Sequence, residues 1–513
     1  MQLETVIGLE IHFQLNTKSK MFCGCANVGP DALPNSATCP ICLGHPGTLP
    51  VPNQQALHMG TRFALALGFT IPLVTKFDRK HYAYPDLPKG YQISQFDQPI
   101  GTHGYLLIDV AGKEQRVEFN RVHLEEDAAK NIHAPDGRIL VDYNRAGTPL
   151  LELVTEPCLT TPAEAKVLLQ ELQRISRYLG ISLADMEEGH MRCDANISLR
   201  PIPEVGLKLP FEPNTTGFFP KTEIKNLNSF RHVERALAYE IKRQTELWNT
   251  GTPPAKEATH GWDPQRGVTV EQRVKEGSAD YRYFAEPDIP PITLEAAYVQ
   301  GMAKDIVELP RAKRVRFMAQ YNIPAADAQL LTDTPDTANW FEDMMSELQA
   351  WFNDRSGSDE VPEEEWTKQN SKIVQQAATW VTTRLFGILA EVGRPGEVSH
   401  VSPGHFAELM TMLAERRVNL TTGQVVLKRM VESGESPEDI VREGDLTQVT
   451  DASAIVGIVD RVLQENAEIV AEVKAGKVAK AQFLVGQVMK LSKGQADPGI
   501  VRELLGNKLG IQL

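Results

Sequence analysis

The feature that most constrains the fold is a segment near the N-terminus whose apolar and polar residues alternate. Residues 7–15 (IGLEIHFQL) have a period of two, which is typical of a half-buried β-strand. One face would carry Glu10, His12 and Gln14, spaced about 6.5–7 Å apart, and the other face four apolar side chains: Leu9, Ile11, Phe13 and Leu15. A carboxylate and an imidazole at this spacing can bind one cation or share one proton. The alternative is an edge strand whose polar face only contacts solvent.

The bulk composition indicates a soluble protein of the reducing cytoplasm. The 513 residues allow two to four domains, with 42% hydrophobic and 23% charged residues. No apolar run is long enough to cross a bilayer, so we expect no membrane partner. The N-terminus lacks the features of a signal peptide, and six cysteines in so long a chain are not a disulfide framework. A net charge of −14 argues against general nucleic-acid coating but permits a local basic patch.

The two halves of the chain differ in pattern, which predicts an α+β protein. The first half contains strand-like alternation, as in residues 105–110 and 115–122, together with a helix opened by a capping box at Thr161 and Glu164. After about Pro291 alternation is scarce. Helix starts with an N-cap residue followed by proline recur there, at 402–403, 436–437 and 497–498. We therefore expect a mixed β-rich domain followed by all-α domains.

Two charged stretches interrupt the second half. Residues 355–365 are acidic and of low complexity, which favours a solvated loop or linker. Residues 472–513 contain seven Lys and Arg against three Asp and Glu, a local charge of +4. This basic tail is either the solvated surface of short helices or a surface that contacts polyphosphate.

Four of the six cysteines lie within twenty residues, in two close pairs. Cys23 and Cys25 are followed by Cys39 and Cys42, and the second pair has the C-x-x-C spacing of zinc knuckles. Four thiolates can surround one tetrahedral ion, so we predict a structural Zn²⁺ site with no open position for substrate. The alternative is four reduced thiols packed in a loop. The remaining two, Cys158 and Cys193, are expected to be small buried apolar residues.

Acidic clusters recur beside predicted strands of the first half. One contains Glu125 and Glu126, and another runs from Glu187 to Asp194. Adjacent carboxylates repel one another, and a divalent cation is a common reason for such crowding. Hard oxygen ligands of this kind suit Mg²⁺. Each cluster alone is better explained as a solvated turn; together with Glu10 and His12, the clusters are as compatible with one shared metal site as with separate turns.

Basic and aromatic residues are interleaved at 76–86 and 276–284, as in sites that contact phosphate and stack a base. Either segment alone is compatible with a solvated loop. The chain has no G-x-x-x-x-G-K-[ST] loop and no G-x-S-x-G elbow. The residues alone thus point to metal-assisted phosphoryl transfer or hydrolysis without a P-loop.

Seven motifs of the first half resemble one family, the B subunits (GatB) of tRNA-dependent amidotransferases. They are 8–12 (GLEIH), 76–80 (KFDRK), 91–101 (YQISQFDQPIG), 124–127 (LEED), 144–150 (NRAGTPL), 193–200 (CDANISLR) and 225–230 (KNLNSF). The resemblance implies a cradle domain over 1–293 that carries the zinc knuckle. It also implies a helical domain over 294–405, with an acidic insertion near 355–365, and a tRNA-binding tail domain over 406–513.

The resemblance implies an ATP-dependent ligase that forms a carbon–nitrogen bond. Such a B subunit uses ATP and Mg²⁺ to phosphorylate the side-chain carboxylate on mischarged Glu-tRNA(Gln) or Asp-tRNA(Asn). Ammonia from a partner amidase (A) subunit then displaces the phosphate, and a small C subunit completes a heterotrimer. Phosphorylation supplies the leaving group that a carboxylate lacks, which agrees with a metal site beside phosphate-binding cations.

Transferred motif by motif, the resemblance assigns roles to individual residues. The catalytic candidates are Glu10, His12, Glu125 and Glu126. The Mg²⁺ ligand candidates are Glu10, His12, Glu125, Glu188 and Asp194. The ATP phosphate candidates are Arg79, Lys80 and Lys225, and the Zn²⁺ ligand candidates are Cys23, Cys25, Cys39 and Cys42. The alternative function is a non-catalytic, zinc-bearing adaptor that binds tRNA and positions another enzyme, but it leaves the convergent carboxylates unexplained.

Overall fold

The computed structural model of the 513-residue chain describes residues 2–202, 213, 217–274, 281–356, 362–444, 446, 452–492 and 496–511. It divides the chain into two compact units, Met1–Pro310 and Arg311–Leu513. Parts of three predicted segments lie outside the described residues. They are residues 276–280 of the second basic–aromatic segment, residues 357–361 of the acidic stretch and Lys493 of the basic tail.

Fifteen strands are present in the described part of the first unit. Their bounds are β1 Leu3–Gln14, β2 Val74–Thr75, β3 Asp78–His81, β4 Tyr91–Ser94, β5 Gly101–Val110, β6 Lys113–Glu126, β7 Lys130–His133, β8 Ile139–Asp142, β9 Pro149–Thr155, β10 Met191–Pro201, β11 Thr222–Leu227, β12 Ala258–Asp263, β13 Val268–Val274, β14 Phe284–Ala285 and β15 Ile292–Thr293.

Helices occur in both units. The first four are α1 Gln54–Ala66, α2 Pro162–Tyr178, α3 Phe230–Asn249 and α4 Ala296–Lys304. From Pro310 onward they are α5 Pro310–Tyr321, α6 Ala325–Leu331, α7 Pro335–Ser356, α8 Glu363–Gln369, α9 Ser371–Thr379, α10 Phe386–Glu391, α11 Pro403–Ala414, α12 Leu420–Ser433, α13 Pro437–Gly444, α14 Ala452–Glu465, α15 Ala467–Lys474, α16 Ala481–Leu491 and α17 Pro498–Leu509.

An eight-stranded mixed sheet forms the centre of the first unit, in the order β13-β12-β11-β10-β1-β9-β6-β5. All neighbours are antiparallel except β11 and β12, which run parallel. Three small sheets accompany it: β14-β3-β4, β15-β2 and β7-β8. The predicted α+β fold is therefore confirmed.

Strand β1 lies inside this sheet, not at its edge, and its alternation separates core from cleft. Leu9, Ile11 and Phe13 are buried in the apolar core to which α1, α2 and α3 contribute. Phe13 packs against Phe63 of α1 with ring centroids 5.3 Å apart. The predicted strand is confirmed, and its polar face is directed away from this core.

The predicted helix starts are also confirmed. Thr161 and Glu164 form a reciprocal capping box at the start of α2. Helices α11, α13 and α17 begin at the expected prolines. Asp497 caps α17 by accepting from two backbone N–H groups, whereas Ser402 makes no side-chain cap bond at α11.

In the described residues of the second unit, all the regular elements are helices. Helices α7 and α8 extend into both ends of the acidic stretch that was expected to be a loop, since α7 ends at Ser356 and α8 begins at Glu363. Helices α14–α17 share an apolar core of their own, which includes Ile455, Leu484 and Leu505. Over the described residues, no helix has the length and apolar character needed to cross a membrane.

Candidate active site

A row of polar side chains crosses four neighbouring strands of the central sheet. Arg192 of β10 lies opposite His12 of β1, His12 lies opposite Glu152 of β9, and Glu152 lies opposite His123 of β6. Directly opposite residues of antiparallel strands share a face. The row therefore collects side chains from distant parts of the sequence on the face that the apolar core leaves open.

Carboxylates and imidazoles of this face are in direct contact. His12 Nε2 lies 3.2 Å from Glu152 Oε2, 3.5 Å from Glu125 Oε1 and 3.9 Å from Glu10 Oε1. His123 Nε2 lies 3.4 Å from Glu152 Oε2 and 3.7 Å from Glu125 Oε2. Glu10–His12–Glu152 and His123–Glu125–Glu152 each bring three potential ligand atoms within 4.8 Å of one another. The two groups share Glu152, and either has donor atoms suited to a divalent cation.

The charges in this cluster are mutually dependent. Burial opposes the charged forms of His12 and His123, but contacts with Glu152 and Glu125 outweigh it, so both imidazole pKa values rise, that of His123 to about 9. Burial likewise opposes ionised Glu125 and Glu152, but the two imidazoles bring their pKa values below the ordinary range. The pKa of Glu10 is raised, by burial first and by the charge of Glu152 second. Of the three carboxyl groups Glu10, Glu125 and Glu152, Glu10 is therefore the one that takes up a proton most readily.

The cluster lies in the wall of a cleft with a volume of about 990 Å³, which Glu10, His12 and Glu125 line. Lys80 and Lys225 line it too. Burial opposes the charge of Lys80, but Glu125, Tyr283, Glu152 and Tyr82 together outweigh burial and raise its pKa. The cleft therefore combines clustered acids with cations that can bind phosphate.

Three cations of the cleft are fixed by carboxylates of its own wall. Lys225 Nζ lies 2.5 Å from Asp194 Oδ2. Arg192 lies 2.9 Å from Asp127 Oδ2, and Arg145 lies 3.6 Å from the same oxygen. Asp127 is 4% exposed and also accepts a hydrogen bond from Gln14 Nε2 at 2.9 Å. Asp127 thus joins Gln14 of β1 to two guanidinium groups.

Most of the proposed catalytic, Mg²⁺ and ATP-binding residues line this cleft, but two of them do not. Glu10, His12, Glu125, Asp194, Lys80 and Lys225 line it, and so does Glu188, which is exposed on a turn. Glu126 lies instead 2.5 Å from Lys89 Nζ and accepts the N–H of Ile93. Arg79 forms a two-pronged ion pair with Glu286 and stacks 4.3 Å above the ring of Tyr91. Both residues line a separate cavity of about 250 Å³.

Glu152 and His123 complete the cluster and were absent from the sequence-derived set. Glu152 is the only charged residue of β9 (PLLELVT). A lone carboxylate in an otherwise apolar strand is a signal, because burying it needs a partner. His123 lies two residues before Glu125 on β6, and this period-two relation indicates that the two side chains share a face.

The four clustered cysteines do meet. The sulfur atoms of Cys23, Cys25, Cys39 and Cys42 all lie within 4.8 Å of one another, so this group can hold a metal ion. The hydrogen bond from Cys23 lowers the pKa of Cys42 to about 4, and burial raises that of Cys25 to about 11. Cys193 is buried in the core, and Cys158 is half-buried beside it.

Aromatic rings lie near Lys80. Its Nζ lies 5.1 Å from the ring centre of Tyr281. Phe96 and Tyr283 are stacked nearly parallel, with centroids 4.2 Å apart. The described parts of the two basic–aromatic segments are therefore neighbours in space.

Comparison with known proteins gives matches along almost the whole chain. Residues 5–300 match the family described as the GatB/GatE catalytic domain, and residues 364–509 match the GatB domain family. Three similar proteins are all named as the B subunit of an aspartyl/glutamyl-tRNA(Asn/Gln) amidotransferase. That of Thermomicrobium roseum is 43% identical over 99% of both chains. That of Thermodesulfovibrio yellowstonii is 41% identical over 98% of this chain and 99% of its own, and that of Thermotoga maritima 39% over 98% of both.

Arg79 is expected to act in stability. Replacing Arg79 by Met would leave the fully buried Glu286 carboxylate without its main cation. We expect the free energy of unfolding in urea to fall by about 3 kcal/mol, and removal of both charges in R79M/E286Q to recover most of this loss. Arg116→Met is the control, because the Arg116–Glu118 pair is exposed and is expected to contribute under about 1 kcal/mol. Equal losses for R79M and R116M would contradict this interpretation.

Proposed function

The chain belongs to the GatB/GatE family, and from this premise we propose that it is the B subunit of a tRNA-dependent amidotransferase. In this proposal it phosphorylates the side-chain carboxylate of Glu-tRNA(Gln), Asp-tRNA(Asn) or both at the expense of ATP. Ammonia released by a partner amidase subunit then displaces the phosphate and leaves the amide. A small C subunit would complete the assembly.

The observation that carries the proposal is the contact between carboxylates and imidazoles beside cations in one cleft. An adaptor that only binds tRNA has no need to bury Glu125 and Glu152 within reach of the same two imidazoles. Such an arrangement costs desolvation free energy and persists where function needs it. Phosphoryl transfer needs both features of this cleft: carboxylates that hold a metal cation, and positively charged side chains that bind phosphate.

The residues present fit a divalent cation such as Mg²⁺. Glu10, His12 and Glu152 offer two carboxylates and one imidazole within 4.8 Å, and Glu125 lies beside them. When bound there, Mg²⁺ would offset the negative charge of the phosphates and of the reacting carboxylate. Glu188 and Asp194, also proposed as ligands from the sequence, line the same cleft and are retained as candidates.

The remaining roles follow from charge and exposure. Lys80 and Lys225 are the proposed contacts for ATP phosphates, and Arg192 joins them as a third cation of the same wall. Glu10, with His12 as its neighbour, is the proposed acceptor of the proton that ammonia loses on attack. Arg79 and Glu126 are assigned no contact with substrate because they line the other cavity.

The second unit is proposed to contribute the tRNA contact. Lys474, Lys490 and Arg502 are exposed on α15, α16 and α17, which share one small core. Solvated cations spaced over adjacent helices suit a phosphate backbone, whose binding depends on local charge. The net charge of −14 for the chain does not oppose this, because screening limits its reach to about 10 Å.

Glu152→Gln tests the catalytic proposal. Glutamine keeps the shape of the side chain but removes the charge that both imidazoles contact, so ATP-dependent amide formation should fall about 10²-fold. The assay uses the complex obtained by co-expression with candidate amidase and small subunits, on both mischarged tRNAs. Glutamine hydrolysis and tRNA affinity should be retained. Glu118→Gln, on the exposed part of β6, is the matched control; normal amide formation by E152Q would favour the adaptor.

The cysteine group is proposed to hold structural zinc. Four sulfur ligands suit Zn²⁺, and elemental analysis should find about one ion per chain. Cys25→Ser should lose the metal and lower the thermal stability of the first unit, because metal binding contributes to folding. Cys158→Ser, a half-buried cysteine outside the group, should keep it. Equal zinc contents for C25S and C158S would remove the assignment.

Salt dependence of binding tests the tail. The triple variant K474Q/K490Q/R502Q should bind tRNA more weakly. Its plot of log affinity against log salt concentration should be shallower by about 0.9 for each phosphate that the variant no longer neutralises. K428Q/R429Q is the control, because these residues are exposed on α12 of the same unit. An unchanged slope for the triple variant would remove the tail from the tRNA interface.

A further inference from the structure

An irregularity between β10 and β11 determines which side chains of β11 face the cleft. Cys193 pairs with Leu227 and Ala195 pairs with Ile224, so the single residue Asp194 opposes two residues of β11. Those two are Lys225 and Asn226. This two-against-one arrangement is a β-bulge, a device that redirects a side chain beside a functional site.

The bulge allows Ile224 and Leu227 to point to the same face of the sheet. Ile224 and Leu227 are three positions apart, so in a regular strand they would point to opposite faces. Both are nevertheless buried in the core of the first unit. The additional residue restores the inward direction of Leu227. As a result, two consecutive side chains, Lys225 and Asn226, both line the cleft.

Asn226 makes the bulge possible through its backbone. Its φ is +64°, in the left-handed region that most side chains avoid and that Asn tolerates better than other non-glycine residues. Its side chain lies over Gly261 of the parallel neighbour β12. A Cβ at Gly261 would be 3.2 Å from Asn226 Nδ2 and 2.4 Å from Gln272 Nε2. The missing side chain at position 261 therefore leaves the space that Asn226 occupies.

We propose that Asn226 is a positioning residue, whose left-handed backbone holds the ammonium group of Lys225 against Asp194 in the cleft. Lys225 Nζ lies 2.5 Å from Asp194 Oδ2 and 3.1 Å from Glu223 Oε1. Asp194 in turn lies opposite Glu10 on β1. The bulge thus places the cation proposed to bind phosphate next to the strand position opposite Glu10, a member of the carboxylate cluster. The inference rests on the proposed function for its consequence in catalysis, but not for its geometry.

A comparison of two variants separates the backbone from the side chain. Asn226→Gly adopts the left-handed conformation without penalty, whereas Asn226→Ala disfavours it; both lack the amide. The first readout is the rate at which an amine-acylating reagent modifies Lys225, measured by peptide mass spectrometry on the full chain. Lys166 is the internal reference, because its ion pair with Glu234 (2.7 Å) and its 35% side-chain exposure resemble those of Lys225.

Acylation of Lys225 should be several-fold faster in N226A than in the unmodified chain, and unchanged in N226G. Equal rates in all three proteins would overturn the positioning role, and so would equal acceleration in N226A and N226G. Asn322→Ala, at another left-handed asparagine (φ +49°) in the second unit, controls for the strain itself. It should lower stability and leave Lys225 acylation unchanged; faster Lys225 acylation in N322A would also overturn the proposal.

Amide formation by the reconstituted complex is the second readout. In N226A, kcat/KM for ATP should fall about tenfold, with N226G near the unmodified value. In a Lys225→Met background, N226A should cause no additional loss, because residues acting through one group are not additive. A full additional loss in that background would overturn the proposal. Altered acylation with unchanged amide formation would support positioning and instead remove Lys225 from the proposed reaction.

Discussion

The constraint on which the cleft depends is the repulsion between carboxylates that the fold brings together. Glu10, Glu125 and Glu152 all lie within 3.9 Å of one imidazole, His12. Burial alone would force some of these groups to take up protons. A second imidazole, His123, opposes this for Glu125 and Glu152 because it supplies positive charge in contact with both carboxylates. Only Glu10, at the exposed end, retains a raised pKa. The sheet thus places a carboxyl group with a raised pKa, Glu10, within a few ångströms of two carboxyl groups with lowered pKa values, Glu125 and Glu152.

A second support comes from the segment that carries the cysteines. Lys20 is fully buried, and its ammonium group lies 3.7 Å from Cys42 Sγ and 3.2 Å from the carbonyl oxygen of Tyr143. The backbone N–H of Met21 bonds to the carbonyl of Gly147. Between these two anchors lies Arg145, which contacts Asp127 in the cleft. The cysteine segment therefore supports one wall of the cleft without contributing a thiol to it.

Sequence alone predicted features that depend on local periodicity. The strand at 7–15, the capping box of α2 and the proximity of four cysteines needed only spacing, and the structure has all three. Glu152 and His123 were not selected, because their importance comes from strand order: β9 lies between β1 and β6 although β6 precedes it in the chain. Strand order is a long-range property that the hydrophobic periodicity of a sequence does not indicate. The left-handed residue at Asn226 is equally invisible, since KNLNSF contains no glycine to mark a bulge.

Neighbouring residues of a strand were assigned from the sequence to the same site, although their side chains point to opposite faces of that strand. Glu125 and Lys80 face the cleft, whereas Glu126 and Arg79 face the smaller cavity, as the period of two requires. A shift of register by one residue would exchange these charges between the cavities. Four hydrogen bonds between β6 and residues 92–95, which comprise the end of β4 and the residue after it, oppose this shift. Gln92 donates to the Glu126 carbonyl, the Ile93 N–H donates to the Glu126 carboxylate, Ser94 donates to the Glu125 carboxylate, and the side-chain oxygen of Gln95 accepts from the Leu124 N–H. Because β4 also pairs with β3, one short strand fixes both pairs of charges, and so determines which acid and which cation reach the cleft.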